Sequence, residues 1–427
     1  MFDFYRNDDD NTWRIVWKWH ILGHVCQRWR RIVLTSPHRL NLQILCRRST
    51  PVRKLLNIWP AFPIALSYYS KSIRSSADEA IATLEHPGRV CNVTLDVTGT
   101  LLEKMVKAMH VPFPVLTHLH IMIAPGVGNT LPREFLGGSA PSLQEISLYG
   151  VPYPSLPRLL LSASDLVNLL LRNIPPSGYI SPEAIVVGLA ALPRLKFFSM
   201  EFQSASSRPD RIHTPPATRT VLPSGIWFEF KGASEYLEAL VAQIDSPQLE
   251  WICINYFNQV ADFQASQLSQ FIDRSVGPQE TLFSRATVRF SRREVSFVMF
   301  PHSNHEGHVS ITTICEGIDW QVSHMTHLLS QFSVALSNVV HLNVTNLSNL
   351  EGQLEGIDDV EWRDILHPFS TVKSLYVSKK LAEHISLVLE DITEGMVLPS
   401  LDSIRLTGQP ASSAQKLLAR RRLSSTL

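Results

Sequence analysis

The feature that most constrains this chain is a strand signal that keeps returning. CNVTLDV (Cys91–Val97), LTHLHIMI (Leu116–Ile123), LQEISLYG (Leu143–Gly150), LVNLLLRN (Leu166–Asn173) and LPRLKFFSMEF (Leu192–Phe202) each alternate apolar and polar residues. That is the period-two mark of a strand with one buried face. Val93, Leu119, Ile146, Leu169 and Leu195 hold corresponding places, at steps of 26, 27, 23 and 26 residues. A unit of that length cannot bury its apolar face alone and must stack on copies of itself.

The steps and the L-x-x-L-x-L pattern predict an α/β fold: an irregular leucine-rich-repeat solenoid, horseshoe-like, with parallel strands on its concave face. Return segments are legible between the strands, as helices over Leu101–His110 and Pro182–Leu192, the latter with proline where its missing N–H costs little. QSASSRPDRIHTPPATRTVLP, residues 203–223, interrupts the period as a polar, proline-rich surface insertion. The pattern resumes at IWFEF (Ile226–Phe230), and LEWICINYF (Leu249–Phe257) is its clearest copy. ATVRF, VSFVMF, VSITTIC, VVHLNVTNL, VKSLYVS and LDSIRLTG continue it. Helices SEYLEALVAQI, ASQLSQFIDRS, Trp320–Ser333, DDVEWRDILHPF and LAEHISLVLEDI fall between them, and the arginine-rich tail after Ala411 reads as a capping helix. Upstream, Val52, Leu55, Leu56 and Trp59 share a helical face that ends at Pro60, and a second helix is expected over Ser75–Glu85. The predicted organisation is a helical head at 1–48, a linker and N-terminal cap at 49–88, and the solenoid at 89–427.

Thirty-nine Lys and Arg against 38 Asp and Glu leave a formal net charge of +1, so no global field draws the chain to a polyanion. The five cysteines, Cys26, Cys46, Cys91, Cys253 and Cys315, are odd in number and far apart, which argues for a reducing, intracellular setting, cytoplasmic or nuclear. Cys26 and Cys46 have apolar spacing and are expected in the core. No apolar run is long enough to cross a bilayer, and MFDFYRNDDDN is acidic where a secretory signal would be basic. No membrane and no nucleic acid are expected as partners.

In a repeat strand the leucines point into the apolar layer and the residues between them face the concave surface. That assigns a substrate-binding face to His118, His120, Tyr149, Arg172, Phe198, Trp251, Asn255, His341, Asn343, Tyr376 and Arg405. The mixture of aromatic, amide and basic groups suits a protein or peptide. His118 and His120 lie two apart with no carboxylate or cysteine placed to complete a metal shell. His302, His305 and His308 fall in PHSNHEGH, whose proline, asparagine and glycine predict a loop. There is no GxSxG, no HExxH and no GxxxxGK[ST], so no catalytic residue, cofactor or metal is expected, and the chain reads as a non-enzyme.

At the N-terminus, WRIVWKWHILGHVCQRWRRIVLTSPHRLNLQILC (Trp13–Cys46) is an aromatic, arginine-rich helical stretch unlike anything later in the chain. Within it HVCQRWRRIVLTSPHRLNLQI closely resembles the second half of an F-box domain. TPVRKLLNIWPAFPIAL, SEYLEALVAQIDSPQLEWICINYFNQ, LSQFIDRS and HPFSTVKSLYVSKKLAEHI resemble blocks of the F-box-like leucine-rich-repeat proteins of mushroom-forming fungi. The resemblance implies a non-catalytic substrate receptor of a cullin-type ubiquitin ligase, an SCF arrangement in which the head docks on a Skp-type adaptor protein and the repeats recruit a target. A repeat-only interaction protein without the ligase link is the alternative. Carried over, Ile21, Leu22, Val25, Cys26, Trp29, Ile32, Val33, Pro37 and Leu40 form the F-box core and adaptor surface. The family's opening leucine-proline segment is matched only at its end, by MFDFYR. The resemblance therefore implies a truncated F-box, from a late start or from loss of efficient adaptor binding.

Overall fold

The computed structural model describes residues 24–35, 43–47, 52–58, 62–70, 77–123, 130–205, 218–257, 265–275, 283–301, 308–315, 317–346, 359–379, 381–390 and 397–406. The chain divides into two compact units, Met1–Phe197 and Phe198–Leu427.

Among the described residues of the first unit, six strands lie side by side: β1 (Ile44–Arg47), β2 (Ile64–Tyr69), β3 (Val90–Val97), β4 (His118–Ile123), β5 (Glu145–Tyr149) and β6 (Asn168–Ile174), each pairing in parallel with the next. Parallel neighbours need a crossover, and the helices Val52–Ile58, Ala77–Leu84, Gly99–Ala108 and Leu156–Leu160 supply several of them. The register puts Leu66, Val93, Leu119, Ile146 and Leu169 in one row. Val93, Leu119, Ile146 and Leu169 are all buried to 1% exposure or less. Side chains before one strand claim backbone carbonyls of the repeat before it: Thr117 Oγ1 donates to Cys91 O at 2.8 Å, and Ser142 Oγ to Pro114 O at 2.6 Å. Both helices expected near the start form, but β2 lies between them and β1 precedes them, so the parallel ladder begins at Ile44, ahead of residue 89.

The helix Pro182–Leu189 shows how the sequence sets a boundary. Ser181 caps it, accepting from Ala184 N at 3.3 Å, and Pro182 takes the first position. The strand after it lies three residues beyond the frame expected from Leu195. Lys196 N and Phe197 N both donate to Val167 O, just as Val167 N and Asn168 N both donate to Gln144 O. Phe197 therefore stands where Asn168 stood a repeat earlier, and Leu195 corresponds to Leu166 rather than to Leu169.

The second unit contains β7 (Phe197–Phe202, its first residue in the first unit), β9 (Trp227–Gly232), β11 (Trp251–Tyr256), β12 (Phe283–Phe290), β13 (Glu294–Pro301), β14 (His308–Ile314), β15 (His341–Asn346), β16 (Ser374–Val377) and β17 (Ser403–Leu406), in the spatial order β7-β9-β11-β14-β13-β12-β15-β16-β17. A separate parallel pair joins β8 (Thr220–Val221), which forms inside the bounds expected for the insertion, to β10 (Ile244–Asp245). The expectation of parallel strands throughout fails at β12, β13 and β14, which run as an antiparallel meander. The cause is local. Only Ser291, Arg292 and Arg293 separate β12 from β13, too few residues for a crossover and enough for a hairpin. Ser291 closes it, its N–H and its hydroxyl both donating to Glu294 O at 2.9 and 3.0 Å.

The meander leaves β14 beside β11 and β12 beside β15, so the chain must pass three strand spacings, about 14 Å, to reach β15. It does so with the 14-residue helix Ile318–Gln331, about 21 Å long at 1.5 Å per residue. Buried Gln321 ties that helix to the hairpin, donating to Ser291 O at 2.8 Å and to Cys315 O at 3.1 Å. In the preceding turn the helix Ser266–Ser275 is capped from outside: Glu238, on the helix Ser234–Val241, accepts from Gln267 N at 2.7 Å and Leu268 N at 2.9 Å. Burial pushes that carboxyl up to about 7 against the pull of the N–H donors.

Candidate functional site

The core side of the strands is apolar with few exceptions, such as Thr313 on β14, and the opposite face carries most of the polar groups. In the first unit the register builds three rows there. Ala65, Asn92, His118, Glu145 and Asn168 form the first; Ser67, Thr94, His120, Ser147 and Leu170 the second; Tyr69, Asp96, Met122, Tyr149 and Arg172 the third. His118 is exposed and its Nδ1 lies 2.8 Å from Thr117 Oγ1. His120 is half-buried, and its pKa is lowered by that burial, opposed by Glu145 and Asp96. Asn168 Nδ2 donates to Glu145 Oε2 at 3.3 Å. Tyr149 and Arg172 are exposed and opposite one another. This face is polar, of mixed charge and bonded within itself.

The second unit presents a different face. Trp227 and Trp251, paired in register, stack at 5.1 Å with ring planes 17° apart. Trp251 meets His308 edge-on at 4.5 Å and 74°, and His308 lies 5.8 Å from the Phe300 ring. Phe300 is in turn opposite Arg285, and Arg285 opposite His341. Four rings on four adjacent strands thus run into a guanidinium. All four are half-buried. Burial lowers the pKa of His308, which favours its neutral form among the rings. In the next row Asn343 Nδ2 donates to Thr287 Oγ1 at 3.5 Å, and Tyr376 sits between Asn343 and Arg405. In the row of rings, His341 Nδ1 lies 3.0 Å from Ser374 Oγ.

Of the residues assigned to the face from sequence, the structure brings His118, His120, Tyr149 and Arg172 together on β4 to β6. It brings His341, Asn343, Tyr376 and Arg405 together on β15 to β17. Trp251 and Asn255 are on β11, with the meander between them and β15. Phe198 is corrected: it is 2% exposed and packs on Phe228 at 5.6 Å. The frame set on Leu192 and Leu195 inverted that strand's parity, and an inverted parity exchanges faces. Trp227, His308 and Phe300 were missed. Trp227 was within reach, since it precedes Phe228 as Trp251 precedes Ile252. His308 was counted with the preceding loop although it opens β14.

At the head, Val33 is buried, Trp29 and Ile32 are half-buried, and Val25 and Cys26 are exposed, which corrects the expectation of a core Cys26. The helix there is Gln27–Thr35. Ile21, Leu22, Pro37 and Leu40 lie outside the described residues, as do His302, His305, the middle of the insertion and the tail from 407.

Burial pushes the thiols of Cys46, Cys91, Cys253 and Cys315 up to about 11, so at neutral pH they are not thiolates. Among the described residues no three His, Cys, Asp or Glu side chains are grouped to hold a metal ion, and no helix is long and apolar enough to cross a membrane. A cavity beneath β5 and β6, bordered by Tyr153, Leu156 and Ile180, measures about 10 Å³, room for one water molecule.

No protein-family model matches the chain, and no curated protein matches it. Among solved structures it is similar to the leucine-rich repeat-containing protein LegL7 from Legionella pneumophila, at 12% identity and a TM-score of 0.30, over 76% of this chain and 98% of that one.

Proposed function

We propose that this chain is a non-catalytic protein–protein interaction scaffold of the leucine-rich-repeat type, binding through the outward faces of its strands. The observation that supports the reading is the row Trp227, Trp251, His308 and Phe300, four half-buried rings aligned on adjacent strands and continued by Arg285. Aromatic and arginine side chains in one patch are the groups that dominate binding energy at protein interfaces. The test is quantitative affinity capture with the full chain and with a variant carrying Trp251→Ala, Asn343→Ala and Tyr376→Ala. Partners that disappear with the variant support the reading, and an unchanged partner set overturns it.

A finer reading joins this scaffold to a ubiquitin ligase through the F-box-like head. It rests on the resemblance of HVCQRWRRIVLTSPHRLNLQI and on the exposure of Val25 (56%) and Leu34 (37%) beside buried Val33, apolar groups suited to an adaptor protein. Co-purification with a Skp-type adaptor, lost on Val25→Asp, is the expected result. Absence of the adaptor from the purified complex leaves the scaffold without the ligase link.

A further inference from the structure

The outward positions of β12, β15, β16 and β17 are Arg285, Thr287 and Arg289, then His341, Asn343 and Thr345, then Ser374 and Tyr376, then Ser403 and Arg405, and none is a carboxylate. Arg285, Arg289 and Arg405 are exposed, and none is ion-paired with a described residue. The near-neutral composition of the chain makes this a local arrangement rather than an overall excess. The row of rings borders it directly, since Phe300 is opposite Arg285.

Rings beside arginines can also serve single-stranded nucleic acid, by stacking bases on open ring faces. Here the rings already use one another as partners. Trp227 and Trp251 stack at 17°, each taking one face of the other, and Trp251 and His308 meet edge to face at 74°. Ring edges carry the positive end of the aromatic quadrupole. An indole N–H is a donor only. Positive edges next to three guanidinium groups complement carboxylates and backbone carbonyls better than bases.

We propose, resting on the reading of this face as a protein-binding surface, that the second unit binds an extended acidic peptide segment of a partner protein. An apolar or aromatic side chain of the peptide seats against Trp251 and His308, and its carboxylates pair with Arg285, in the same row as the rings, and then with Arg405, while Arg289 adds positive charge beside them. From β14 to β12 is two strand spacings, about 10 Å, and from β12 to β17 three, about 14 Å, while an extended chain advances about 3.3 Å per residue. The acidic residues therefore fall roughly three and seven positions beyond the anchor. Arginine meets a carboxylate with two parallel hydrogen bonds, which gives such a pairing its specificity.

The experiment pans a random peptide library on the full chain and measures selected peptides by fluorescence anisotropy, with oligouridylate RNA as a competitor. Selected peptides are expected to carry Asp or Glu after an apolar anchor and to weaken with added salt. They should lose about tenfold or more on Arg285→Gln with Arg289→Gln, two exposed positions whose substitution leaves circular dichroism unchanged. Peptides that lose binding on Trp251→Ala but carry no acidic residues overturn the acidic specificity and leave the protein-binding face standing. Peptides indifferent to both sets of variants overturn both. An empty selection overturns the acidic-peptide inference, as does oligouridylate binding more tightly than the peptides at the same residues.

Discussion

The two units share parallel strands over an apolar core and differ in how the strands are joined. The first keeps an all-parallel ladder from β1 to β6. The second takes in an antiparallel meander, because three residues between β12 and β13 allow only a hairpin, and a long helix then carries the chain on to β15. Their outward faces differ too, one polar and bonded within itself, the other a row of rings beside arginines that pair with no carboxylate among the described residues. A regular ladder and a distinctive surface are thus found in different units of the chain.

The sharpest way to break that comparison is to remove one core side chain from each unit. Phe297→Ala, in the middle of the meander, should cost about 3–5 kcal/mol, and Leu169→Ala about 2–5 kcal/mol, read from urea unfolding. Hydrogen exchange should rise across β12 to β14 for the first and stay near β5 and β6 for the second. Equal, uniform exchange in both variants would erase the distinction. On the surface, Trp251→Ala should weaken a bound protein partner by about 2 kcal/mol or more, while Tyr149→Ala in the first unit changes binding by less than about 1 kcal/mol.

Glu238 offers a test by pH. Its carboxyl titrates near 7 in the fold and near its ordinary value of about 4.3 when unfolded. Between those values the folded chain holds a proton that the unfolded chain has released, so this group's contribution to stability falls as pH rises through the window. Relative to Glu238→Gln, the wild-type chain should lose on the order of 1–3 kcal/mol between pH 5 and pH 7.5, seen as a shift between their urea midpoints. A constant difference across the window would contradict the burial argument.

Two glycines of the first unit separate backbone strain from mere space. Gly137 has φ +64°, and an added Cβ would lie 2.7 Å from the Pro112 ring and its nitrogen, whereas one at Gly88 meets nothing within 4 Å. Gly137→Ala should cost about 1–3 kcal/mol, and Gly88→Ala should leave thermal unfolding within about 0.5 kcal/mol of wild type. Smaller still is the contrast of ion pairs. Arg194 and Asp165 in the first unit are 3.0 Å apart and largely exposed, so Arg194→Met should cost no more than about 0.5 kcal/mol. Arg274 in the second is 2.7 Å from Asp245, less exposed, and also donates to Val241 O. Arg274→Met should cost about 1–2 kcal/mol in the same assay.

The sequence by itself determined the alternation of strands and helices and the inward side of most strands. Side-chain direction has a period of two along a strand and is decided within a few residues, so His118, Trp251, Asn343 and Tyr376 could be put on the outward face without knowing any neighbour. It also held the three-residue hairpin before β13, a signal that overrides a parallel reading. Tertiary structure decided the rest. Whether Leu195 begins a frame or ends one depends on which carbonyl Lys196 and Phe197 reach, and that bond spans a whole repeat. The adjacency of Trp227, Trp251, His308 and Phe300 depends on β14 returning to β11 while β12 moves on to β15. Apart from the hairpin, strand partners are chosen across the chain by shared burial, and no local pattern records that choice.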